Sequence, residues 1–108
     1  MTPPPPVTAA DVSVFASGVT AEIALLEQLQ AAAGEQRLAS ESRDFDRFQT
    51  VSAERDRLTR ALLDVESDLA DTRLRVMPII ESRSGDPEHA AVLDLCRRSG
   101  SLVADILH

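Results

Sequence analysis

The chain has 108 residues, a net charge of −7, 3% aromatic content and neither Trp nor Tyr. That allows one domain and excludes a thick globular core. All eleven basic residues are arginines, and they gather on no single face, which excludes the concentrated cationic surface that nucleic-acid phosphates require. One cysteine, Cys96, excludes an internal disulfide and a thiolate metal cluster. The abundance of Ala, Leu, Glu and Arg favours helices, because these side chains lose little freedom in a helical turn.

Residues 1–7 are expected to form a disordered or polyproline-like lead-in, with Pro3 to Pro6 favouring the extended left-handed form. Helix one is expected to start at Thr8. Thr8 and Asp11 stand in capping-box relation, and Val7 and Val12 occupy the flanking positions of a hydrophobic staple. An apolar stripe follows as Val12, Phe15, Val19, Ile23, Leu26 and Leu29. Gly18 and Gly34 each weaken the helix by about 1 kcal/mol relative to Ala. Two places could end it, a C-cap at Gly34 or a turn at Ser40–Arg43. An antiparallel hairpin turning near Ser42 pairs Leu38 with Phe45, Leu26 with Leu58, Val19 with Val65 and Phe15 with Leu69. That pairing favours the second place, with arms at 8–39 and 44–77.

Helix two is predicted from Asp44 to Met77. Its seam, Phe48, Val51, Arg55, Leu58, Leu62, Val65, Leu69, Thr72 and Val76, steps by three and four without a slip, the period of a helix lying along another helix. Arg55 and Thr72 interrupt it; an arginine there lays its stem over apolar neighbours and sends its head to water. Asp56/Arg60, Asp71/Arg75, Asp44/Arg47 and Glu54/Arg57 mark a solvated flank. Pro78 is expected to stop the helix by removing a backbone donor. Residues 78–85 then read as a linker that opens with two exposed isoleucines. Asp86-Pro87-Glu88 restarts the chain as an N-cap, a first-turn proline and a dipole-matched acid. The C-terminal amphipathic helix, within 86–108, carries Val92, Leu95, Cys96, Val103 and Ile106 along one stripe, flanked by Leu102 and Leu107.

No catalytic constellation emerges. His89 and His108 lack a second ligand at metal spacing, the carboxylates sit on helix exteriors, and there is no Gly-rich phosphate loop. The expectation is a non-enzyme using no cofactor and no metal. No basic start followed by an apolar core opens the chain, and no apolar run reaches the about 20 residues of a membrane span. A soluble, cytoplasmic protein is expected.

The predicted fold is therefore all-α: a long antiparallel, coiled-coil-like hairpin at 8–77 with a shorter third helix. Several stretches, Leu25-Leu26-Glu27, Arg43-Asp44-Phe45-Asp46-Arg47-Phe48, Ala53-Glu54-Arg55-Asp56-Arg57-Leu58 and Leu62-Leu63-Asp64-Val65-Glu66, give residues 20–76 a texture that resembles the flagellar export chaperones of the FlgN family. The resemblance implies a cytoplasmic protein that holds hook-associated export clients through its C-terminal part. Carried onto this chain, that role falls on Val92, Leu95, Cys96, Leu102, Val103, Ile106 and Leu107, which would pair with an apolar helix of the client. Helix three could equally fold back on the hairpin. Removing 86–108 is expected to leave the hairpin folded. The alternative function is a structural coiled-coil protein that self-associates, as a homodimer, into a four-helix bundle.

Overall fold

The computed structural model describes residues 6–82 and 85–107, with Leu107 described in its backbone only. Residues 1–5 of the lead-in, linker positions 83 and 84, the Leu107 side chain and His108 lie outside the described residues. Three helices account for nearly all of the rest: α1 (Ala9–Glu41), α2 (Phe45–Ser82) and α3 (Pro87–Leu107). Among the described residues there is no strand. The fold is an all-α antiparallel hairpin with a shorter third helix.

α1 begins where its caps require. The Thr8 hydroxyl accepts from Asp11 N at 3.2 Å, and the Asp11 carboxylate accepts from Thr8 N at 2.9 Å. Val7 packs beside the apolar cluster that contains Val12, closing the staple. The far end resolves the choice of turn. Gly34 lies inside the helix, and the chain reverses after Glu41. Asp44 N donates to the Ala39 carbonyl at 2.9 Å and Arg43 N to that of Ser40 at 3.2 Å, with Arg43 at φ 57°. This is a Schellman ending, in which an arginine takes the left-handed position usually given to glycine. Asp44 then caps α2 through Oδ1, which accepts from Arg47 N at 3.1 Å.

α2 does not stop at Pro78, as the sequence suggested; it runs through the proline to Ser82. The missing N–H frees the carbonyl of Leu74, and both residues lie on the exposed face, where water can satisfy that oxygen. Inside the extra turn, Ile80 is 0% exposed and joins Phe15, Val76 and Val92 in one apolar cluster, while Ile79 is half-buried. The isoleucines expected to lie exposed in a linker are thus partly core. Burying a side chain such as Ile80 contributes about 1.5–3 kcal/mol, enough to offset much of the about 3 kcal/mol that a proline costs inside a helix.

Two apolar clusters hold the helices together. The larger, at the open end of the hairpin, comprises Val12, Phe15, Val19, Ile23, Leu69, Val76, Ile80 and Val92. The smaller, nearer the turn, comprises Leu29, Ala32, Val51 and Leu58, with Ile106 of α3 against it. The predicted Phe15/Leu69 and Val19/Val65 pairings fall within the first cluster. Leu38 and Phe45 do not pack: they are 61% and 74% exposed. They lie beside the turn, beyond Ile106, the last residue of α3 seen packing on the hairpin, so no third helix covers them there. At Gly18, an added Cβ would overlap the Leu69 side chain, so the seating of Leu69 against α1 depends on glycine here.

α3 folds back and lies mainly along α1, touching α2 far less. Exposed ion pairs tie the helices at their rims: Arg75 to Asp11 at 3.5 Å, Arg47 to Glu35 at 3.5 Å, and Arg98 to Glu27. Arg75 therefore reaches across to α1 rather than to Asp71 on its own helix. Arg55 donates to Gln36 at 2.7 Å and Gln36 to Ser52 at 2.8 Å, so the arginine in the seam joins a polar bridge between α1 and α2. By length and composition, α1 is also apolar enough to cross a membrane, contrary to the expectation that no run reaches that size. Its alanines supply the extra apolar character. Core helices and signal sequences pass the same test, and here its apolar stripe forms the core.

Candidate functional site

Because α3 follows α1 and diverges from α2, the third side of the bundle stays open. The result is a groove of about 490 Å³ with α1 as its floor and α2 and α3 as its walls. Val19, Leu26, Leu62, Met77, Cys96 and Val103 supply an apolar lining. Gly100 opens the α3 wall, since nothing lies within 4 Å of where its Cβ would be.

Four polar residues cross this lining and join all three helices. Ser99 of α3 donates to Glu22 Oε1 on α1. Arg73 of α2 holds Glu66 with two hydrogen bonds, at 3.1 and 3.4 Å. Its guanidinium also stands 3.6 Å from Glu22 Oε2, an ion pair too long for a hydrogen bond. Glu22 is only 4% exposed, and Oε2 is buried without a donor. Burial pushes the Cys96 thiol above its ordinary value, with nearby Arg73 acting weakly against the rise. The thiol is therefore protonated at neutral pH and a poor nucleophile. Among the described residues no cluster of His, Cys, Asp or Glu could hold a metal ion.

The residues proposed from sequence to hold a client divide. Val92 is buried in the core, and Leu95, Cys96 and Leu102 pack against the same cluster. Ile106 packs on the second cluster. Val103 is 39% exposed and, with Cys96, lines the groove. Most of that stripe therefore faces the protein's own hairpin. Arg97 binds Asp94 at 2.9 Å and Arg98 binds Glu27, so both have partners within the chain.

Glu22 and Ser99 were not singled out, although the signal is present. Continuing the three-four steps of Val12, Phe15, Val19 leads to Glu22, then Leu26 and Leu29; Ser99 likewise stands between Cys96 and Val103. Both are polar residues at seam positions. His89, near the start of α3, is also buried, with Nδ1 lacking a partner, and does not line the groove.

No protein-family model matches this sequence, and no curated protein or solved structure does.

Proposed function

We propose that this protein is a non-catalytic helix-binding chaperone, whose groove between α2 and α3 takes an amphipathic helix from a client protein. The observation that carries the reading is the open, apolar third side of the bundle, where a fourth helix would complete the packing. A client helix seated there would also reach the shoulder of α2. Leu63 and Leu74, 62% and 77% exposed, lie three turns apart on one face beside the wall residues Leu62 and Arg73. The resemblance to FlgN-type proteins supports export clients, hook-associated proteins among them, and a cytoplasmic site of action. It places recognition on α3, and the groove uses α3 as one wall.

Gly100→Leu tests this. The substitution adds a side chain to open space on the groove wall, raises helix propensity by about 1 kcal/mol and narrows the groove. Binding of a purified hook-associated protein, followed by calorimetry, should fall at least about tenfold while the helical content is unchanged. Unchanged binding would remove the groove from the function.

The second reading, self-association into a larger bundle, draws on the same exposed Leu63 and Leu74. It requires a dimer in sedimentation at micromolar concentration that Leu63→Glu with Leu74→Glu dissociates.

A further inference from the structure

The groove floor carries a feature that an apolar client helix alone does not satisfy. Glu22 Oε2 is buried without a hydrogen-bond donor, while Oε1 is held by Ser99. Arg73 is committed to Glu66 by two hydrogen bonds and leaves Oε2 at 3.6 Å. A buried carboxylate oxygen that has an ion-pair partner but no hydrogen bond is incompletely satisfied, and a charge-assisted hydrogen bond in such a place is among the strongest a protein makes. The groove holds two carboxylates, Glu22 and Glu66, against one arginine, Arg73, so acidic groups outnumber basic ones in its lining. That excess favours a cation.

Resting on the groove reading above, we propose that the site selects partner helices bearing a lysine or arginine within their apolar face, the cation donating to Glu22 Oε2. Arg73, with its side chain 39% exposed, turns outward with Glu66 to admit it. The half-exposed Arg73–Glu66 pair moves as a unit, and the incoming cation replaces Arg73 as the ion-pair partner of Glu22 while adding the hydrogen bond that Arg73 does not make. Ser99 keeps the carboxylate oriented throughout. The groove thereby disfavours wholly apolar helices, which leave Oε2 with Arg73 alone and no hydrogen bond, and rejects acidic ones by repulsion.

The test uses the full chain and fluorescein-labelled amphipathic peptides of about six turns, identical except for Lys, Gln or Glu at the centre of a leucine-alanine face. Anisotropy should show the Lys peptide binding about tenfold or more tighter than the Gln peptide, and the Glu peptide weakest. In Glu22→Gln, which keeps a partner for Ser99, that preference should vanish; in Glu66→Gln, which frees Arg73 to approach Glu22, it should shrink but remain. Equal losses in both variants would mean long-range attraction and overturn the assignment. Equal affinity of the unaltered protein for all three peptides overturns it without any variant, while leaving the helix-binding groove intact if Gly100→Leu still blocks them. Binding that Gly100→Leu does not disturb would instead sink the groove itself. A chain found dimeric through this groove would give it to a second copy and overturn the proposal.

Discussion

At Gly18 the backbone of α1 approaches the Leu69 side chain so closely that even a methyl group overlaps it. Alanine would gain about 1 kcal/mol of helix propensity at any interior glycine. At Gly34 no atom lies within 4 Å of the added carbon, so Gly34→Ala should stabilise the protein by about that amount. At Gly18 the isobutyl group of a buried leucine has to move, and overpacking typically costs about 1–3 kcal/mol, so Gly18→Ala should be neutral to destabilising. Urea unfolding of the two variants checks the contrast; equal stabilisation would mean that Leu69 yields freely. Asp11 makes a different kind of statement. The backbone N–H of Thr8 holds its carboxyl below the ordinary 3.8; burial opposes this, and the Thr8 hydroxyl and Arg75 act in the same direction as the backbone bond. A depressed folded value means that the stabilisation is present above the unfolded value and is lost as pH falls through the folded one. The melting-temperature gap between the native chain and Asp11→Asn should therefore be full at neutral pH and close below about pH 4. A gap that persisted at lower pH would show that charge is not its source.

Helix starts and the hairpin turn were legible because they depend on a few neighbouring residues: Thr8 with Asp11, Asp44 with the next turn, Asp86 with Pro87. The end of α2 was not. Local chemistry places a stop at Pro78, whereas the structure continues for four more residues because Ile80 finds Phe15, Val76 and Val92. Tertiary burial overrides a local penalty, and no window around the proline contains that information. Glu22 was obscured for a related reason. Ile23 beside it continued the apolar stripe, so a charged residue at a seam position passed unmarked. Pro78→Ala measures the competition at the scale of the helix. It restores a backbone donor to the Leu74 carbonyl, and the gain is partly offset by the about 0.4–1 kcal/mol that proline supplies by restricting the unfolded chain. A net stabilisation of about 2–2.5 kcal/mol is expected in thermal unfolding. Destabilisation would mean that the proline itself helps Ile80 reach the core.

The molecule measures 58 × 30 × 20 Å, with a radius of gyration of 17.4 Å against about 13 Å for a compact domain of this length. An elongated chain has little interior, so each helix depends on the others. The sequence left open whether the third helix docks, and treated the hairpin as able to stand without it. The packing argues otherwise: α3 contributes Val92 to the main cluster, with Leu93, Leu95 and Leu102 at its edge and Ile106 on the second cluster. Removing residues 86–108 would uncover part of both clusters at the same time. Full burial of one such side chain contributes about 1.5–3 kcal/mol, and several are buried by half or more. After the entropy of ordering α3 is deducted, a loss of about 2–4 kcal/mol is expected, or roughly 10–25 °C in melting temperature for a chain of this size. The measurement also bears on which surface a client uses. If the shortened chain melted at the same temperature as the full one, α3 would contribute nothing to the resting fold, and its apolar stripe would be free for a client. If the shortened chain melts early, capturing a client on that stripe would first require undocking α3, at the energy just lost, whereas the proposed groove would need only Arg73 and Glu66 to turn outward.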